Sequence, residues 1–206
     1  NSIRYAADNG ADIINMSFGK GYSPQLKAVH QAIRYAEEKG VLMIHAAGND
    51  AEDIDKAPNF PNPNYNFQKQ PCSTWLTIGA SSSTGDEKLV GMFSNYGRKK
   101  VDLFAPGVQV YSTKPQNTYE REDGTSMAAP VTSGVAALVK SYFPNMTALQ
   151  LKELLLETST KAPKLNVLLP DPDHDPKKMV KFKKLSQTGG VVNAYSAVKR
   201  ALELYP

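Results

Sequence analysis

The chain has 206 residues, 41% of them hydrophobic, and with 14 glycines its apolar share is that of an ordinary globular domain, which excludes a disordered or collagen-like chain and predicts a single domain. The 24 basic and 20 acidic residues leave a net charge of +4, with the excess gathered at 177–184 as a charged strand or loop edge, so no nucleic-acid partner is expected. A single cysteine, Cys72, excludes an internal disulfide and a CxxC metal or redox site, and the longest apolar run, 41–48, is far too short for a membrane helix, so no membrane partner is expected.

Two helix-then-strand units open the chain. Ser2 is placed to cap a short helix that Gly10 stops, and Asp12-Ile-Ile-Asn-Met-Ser17 reads as a strand entering a turn at Gly19-Lys-Gly21. Ser23 as cap and Pro24 at the first helical position begin the second helix, in which Leu26, Val29, Ile33 and Ala36 recur at helical spacing until Gly40. Val41-Leu-Met-Ile44 follows as a strand. Short apolar strands separated by a crossover helix predict an α/β fold with a parallel sheet flanked by helices.

Residues 50–71 contain four prolines (58, 61, 63 and 71) among asparagines and read as a surface loop, and residues 75–81 read as a third strand. Short strands are expected over 87–111, around the turn signals at Asn95-Tyr-Gly97 and Ala105-Pro-Gly107. Residues 126–142 predict a buried helix whose Pro130 requires either a start close upstream or a bend. Thr147-x-x-Gln150 is a capping box for the next helix, 161–178 reads as a loop, and Asn193 caps a last helix that runs to Leu204.

The strongest chemical signal is Gly124-Thr-Ser-Met-Ala-Ala-Pro130, a serine at the mouth of a buried helix. A helix N-terminus presents unpaired N–H groups and a positive dipole end, a setting that suits a serine oxygen attacking a carbonyl. For an isolated serine the alternative is a plain N-cap.

This segment resembles the nucleophile motif of the subtilisin-like serine peptidases, the subtilases. Asp12-Ile-Ile-Asn-Met-Ser-Phe-Gly19 is similar to their substrate-binding strand, and Val41-Leu-Met-Ile-His-Ala-Ala-Gly-Asn49 to the strand that ends at the oxyanion-hole asparagine. Leu76-Thr-Ile-Gly-Ala-Ser81, Phe93-Ser-Asn-Tyr-Gly97 and Val101-Asp-Leu-Phe-Ala-Pro-Gly107 follow in the family's order. The resemblance implies a protease acting on proteins or peptides, with Ser126 as nucleophile and Asn49 as side-chain donor to the oxyanion. It also implies that Ser17, Phe18 and Gly19 pair with an extended substrate, while Ala47 and Gly48 wall the first specificity pocket. A secreted or cell-envelope location is implied by the family alone.

The sequence departs from the family in lacking the catalytic aspartate and histidine motifs, which subtilases place upstream of the substrate strand. Residues 1–206 are therefore expected to be the C-terminal portion of one subtilase catalytic domain, truncated on its N-terminal side and inactive alone. The three histidines offer no substitute: His30 falls in an amphipathic helix, His45 in mid-strand as a core residue, and His174 in the Pro-Asp loop. The competing reading is a subtilase-like domain without catalysis that serves as a binding or scaffolding module. No cofactor is expected. Calcium enters only through the family, because Asp50, Glu52, Asp53 and Asp55 match no EF-hand spacing and read as a solvated acidic loop. Absence of the upstream strands would leave the strand at Ile13 and Ile14 on an open edge, so self-association through residues 13–18 is expected.

Overall fold

The computed structural model describes residues 1–171 and 178–205, which places His174 and the first lysine of the basic stretch outside it. Helix α1 (Ser2–Asp8) leads into β1 (Ile13–Met16), and α2 (Leu26–Glu38) into β2 (Leu42–Ala46). After the proline-rich loop come β3 (Trp75–Ser81) and β4 (Leu103–Pro106), then a hairpin of β5 (Val110–Lys114) and β6 (Thr118–Glu122). Helices α3 (Thr125–Tyr142) and α4 (Ala148–Thr158) follow, then β7 (Thr160–Lys161), β8 (Asn166–Leu168), β9 (Met179–Lys181), β10 (Gly190–Val191) and α5 (Ala194–Leu204).

The main sheet has the order β1-β2-β3-β4-β10-β7. All its pairings are parallel except the last, β10 with β7. Registers such as Ile13 with Leu42, Ile44 with Leu76 and Ile78 with Leu103 stack apolar rows across the sheet. Helices cover both faces, so the central strands have no solvent side and every residue of β2 and β3 is buried. One face packs Leu42, Ile44, Leu76, Ile78 and Leu103 under α3, α4 and α5; the other packs Met16, Met43 and Trp75 against Ile33 and Ala36 of α2. A third cluster around Phe104, Val101 and Phe182 closes the end of the sheet near β4 and β10.

The α/β class, the strand at 75–81, the capping box at Thr147 and the Asn193 cap match the sequence expectations. The N-terminal caps do not. Asn1, not Ser2, occupies the cap position of α1. In α2 the first helical carbonyl is that of Gln25, which accepts from Val29 N–H at 3.1 Å, while Ser23 and Pro24 lie before the helix. The segment expected to be a loop over 161–178 contains β8, which pairs antiparallel with β9 from the basic stretch. Pro130 lies in the second turn of α3, one residue deeper than a start at Ser126 implied.

Candidate active site

Beyond Ala46 the chain leaves the sheet in a tight turn at residues 47–49. Gly48 has a φ of +102°, and a Cβ there would collide with the side-chain nitrogen of Asn95, so the turn requires glycine. Asn95 holds the turn from behind. Its Nδ2 donates to Ala47 O at 3.0 Å, and its Oδ1 accepts from the amides of Asp50 at 3.0 Å and Glu52 at 2.9 Å.

From the opposite side comes the start of α3. Gly124 N–H bonds Gly107 O at 2.8 Å, which anchors the helix mouth to the end of β4. Thr125 then joins the two segments: its hydroxyl accepts from Gly48 N–H at 3.1 Å and donates to Asn49 Oδ1 at 2.8 Å, and its backbone N–H donates to the same oxygen at 2.9 Å. A backbone N–H can only donate, so this contact fixes which end of the Asn49 amide is oxygen. The NH2 end is left to donate elsewhere. The next amide, Ser126 N–H, has no hydrogen-bond partner among the described residues. Two N–H donors without an acceptor among the described residues thus stand at one helix mouth, one from the Asn49 side chain and one from the Ser126 backbone.

The Ser126 hydroxyl donates to Ser17 O at 3.2 Å, and the Ser17 hydroxyl donates to Ser126 O at 2.8 Å. No imidazole is bonded to Ser126 among the described residues. His30 is buried against Asn66, and His45 is buried with Nε2 at 2.7 Å from Phe18 O. Burial holds both imidazoles below their usual range, His45 at about 4.

Ser126 lines two hollows. The first, of about 470 Å³, is bounded by Phe18, Gly19, Gly48, Asn49 and Thr125, with Lys20, Asp50, Glu52, Asn59 and Asn95 making much of its wall polar. The second, of about 370 Å³, lies between α3 and the β5–β6 hairpin, where Lys114 pairs with both Glu120 and Glu122 beside Met127 and Pro130. Of the residues named from sequence, Ser126, Asn49, Phe18, Gly19 and Gly48 meet at the first hollow. Ser17 touches Ser126 directly. Ala47 is fully buried and does not line the hollow; its carbonyl accepts from Asn59 and Asn95, and Ala46 lines the wall.

Thr125, Asn95, Asn59 and His45 all shape the site without having been singled out for it. Their only sequence signals are local, a residue next to a serine or a turn asparagine, whereas their work is done 12 to 77 residues away along the chain.

The acidic loop is less solvated than expected. Asp55 accepts from the backbone amides of Lys99 and Lys100, the closest at 2.9 Å, and Asp53 pairs with Lys56. Among the described residues no three His, Cys, Asp or Glu side chains are placed to hold a metal ion. No helix among them is long and apolar enough to cross a membrane.

Comparison with known proteins identifies the family. The sequence profile described as Subtilase family matches residues 1–186. Subtilisin DY of Bacillus licheniformis is 36% identical over 158 residues, 77% of this chain and 53% of that protein. Thermitase of Thermoactinomyces vulgaris is 40% identical over 141 residues, 68% and 44% of the two chains, and the major intracellular serine protease of Bacillus subtilis is 36% identical over 143 residues, 69% and 41%. Among solved structures, the prenylagaramide maturation protease PagA superposes with a TM-score of 0.71 at 28% identity, covering 97% of this chain and 65% of that one. The chain spans about half the length of the curated relatives it matches. By its profile, its sheet and its relatives, the chain belongs to the subtilase family.

Proposed function

We propose that this chain carries the nucleophile and the oxyanion hole of a serine endopeptidase acting on proteins or peptides. Ser126 Oγ attacks the scissile carbonyl carbon, and the carbonyl oxygen takes up the negative charge between Asn49 Nδ2 and Ser126 N–H. The serine proton passes to a general base and on to the leaving amine, and water then releases the acyl group from Ser126. The observation that carries this reading is the pinning of Asn49 Oδ1 by both donors of Thr125, which leaves the NH2 end free to donate to an oxyanion. A module without catalysis has no physical need for that arrangement beside a serine.

Among the described residues no histidine bonds Ser126; on this reading the base and its aspartate come from outside these 206 residues, which form one part of a single catalytic domain. Helix α5, beyond the profile match, belongs to the same unit because Ala197 and Ala201 are buried in the main core. Without the base, only the oxyanion hole and binding remain, worth roughly 10³ to 10⁴ over water. The family resemblance favours a secreted or envelope location, although one relative is named an intracellular protease.

A fluorophosphonate probe, which reports an activated serine, tests this. It labels Ser126 rapidly in a protein that also carries the subtilase Asp and His motifs, and fails to do so in the isolated 206-residue chain. Rapid stoichiometric labelling of the isolated chain overturns the missing base; no labelling of the complete protein overturns the protease.

A further inference from the structure

Strand β2 carries one polar side chain into the middle of the sheet, that of His45. It is 1% exposed, and its ring packs 5.3 Å from that of Trp75. Its Nε2 lies 2.7 Å from the carbonyl oxygen of Phe18, the middle residue of the 17–19 segment. A carbonyl only accepts, so Nε2 carries the hydrogen and the bond is an N–H donation from the ring.

This bond falls where the sheet stops helping. Strand β1 pairs with β2 as far as Met16 opposite His45, and residues 17–19 continue beyond that ladder. One end of the segment is tied by Ser17 to Ser126. The other is tied by Lys20, whose N–H and C=O both pair with Phe60 at 2.9 Å. Between these ties, Phe18 O to His45 is the one polar anchor, while Phe18 N–H, Gly19 N–H and Gly19 C=O have no partner among the described residues. An extended segment with unpaired backbone groups beside a nucleophile is a template for strand addition by a peptide.

We infer that His45 is a positioning residue for substrate: its Nε2–H holds the Phe18 carbonyl so that the free backbone groups of residues 17–19 are presented to an extended peptide. The inference rests on the protease reading above. Histidine suits the task because its flat ring spans from the buried strand to the segment while packing at a tilt against Trp75, and its N–H satisfies a carbonyl that would otherwise lack a partner.

Steady-state kinetics on the complete protein with an extended peptide substrate tests it. His45→Leu raises KM about five- to tenfold with kcat within about twofold, the size of one lost hydrogen bond in binding. His45→Gln, whose amide N–H reaches a similar distance, recovers most of the lost affinity. In parallel, NMR of the 206-residue chain shows the His45 Nε2–H coupled to the Phe18 carbonyl, a signal absent from His45→Leu. Unchanged KM in His45→Leu with an active unsubstituted protein overturns the positioning role alone, as does an equal fall of kcat in both variants, which marks a merely structural residue. Absence of peptide hydrolysis by the unsubstituted protein overturns the protease reading, and the positioning role falls with it. Absence of the coupled signal overturns the hydrogen bond itself.

Discussion

The hydroxyl of Ser17 donates to the carbonyl of Ser126 at 2.8 Å, in the place that the amide of residue 130 would fill if it were not proline. A proline inside a helix removes the donor for the carbonyl four residues earlier. In α3 that carbonyl belongs to Ser126, and a side chain from just beyond the end of β1 takes over. The proline thereby turns an internal helix bond into a link between the serine and the segment beside it. Ser17→Ala is expected to destabilise the chain by about 1 kcal/mol, the typical loss when a partly buried carbonyl gives up its partner. Urea denaturation of the two proteins measures this, and equal midpoints and slopes would show that water replaces the hydroxyl without loss.

In the complete protein, Asn49→Ala is expected to lower kcat by about 10² to 10³ with little change in KM, because the lost donor acts on charge that exists only in the tetrahedral state. Thr125→Val removes the hydroxyl but keeps the backbone donor to Asn49 Oδ1, so its loss of kcat is expected to be smaller. A dominant KM effect for Asn49→Ala would make it a binding residue.

Two buried groups set opposing pH dependences. Burial holds His45 at about 4, below its usual 6.5, so between these values the unfolded chain takes up a proton that the folded one refuses. Stability from this group is full above about pH 6.5 and falls as the pH drops toward 4, by up to about 3 kcal/mol. Asp102 runs the other way. Burial pushes its carboxyl up to about 6, against the opposing pull of Lys152 and of Thr77 N–H, which donates to Oδ2 at 2.6 Å. The folded chain therefore keeps a proton there that the unfolded one has released, and stability declines as the pH rises from about 4 to 6. Asp102→Asn keeps an acceptor for Thr77 and removes this penalty. It is expected to gain about 1 to 2 kcal/mol on wild type between pH 4.5 and 7, less than the full shift because the residue keeps some contact with solvent. Denaturation midpoints of both proteins across this range check it; parallel curves would refute the linkage.

The parts of the fold that could be read from sequence are those whose signal is local. Trp75–Ser81 is a mainly apolar run because it is buried on both faces, and Thr147 with Gln150 forms a cap within one turn. Ser23 and Pro24 had the right chemistry for a helix start, but the side chain of Ser23 makes no capping bond and α2 begins two residues beyond Pro24. At the site, Ser126 and Asn49 stood out through motifs. The Thr125 relay did not, because it joins residues 76 and 77 positions apart and exists only once β2 and α3 are docked. Likewise Asn95 reads as an ordinary turn residue, and only the fold shows its side chain wrapped by the turn that presents Asn49.

The last expectation concerns the free side of β1. This strand is the terminal one of the main sheet, and among the described residues its only strand partner is β2. Asn15 is exposed, and Ile13 and Ile14 are only partly buried. The chain continues into Phe18, which is 58% exposed at the rim of a hollow of about 790 Å³ lined by Ile3, Val29, Phe60 and Pro61. An open strand edge next to an apolar hollow favours pairing with another strand, and Asp12, just before the strand, is paired with Lys140. The isolated 206-residue chain is therefore expected to associate through residues 13–18. Sedimentation velocity over a hundredfold range of concentration should show a rising mean mass, and Ile14→Lys, which sets a like charge on facing copies, should shift the balance toward monomer. A strictly monomeric species at every concentration would mean that this edge is covered by the chain itself.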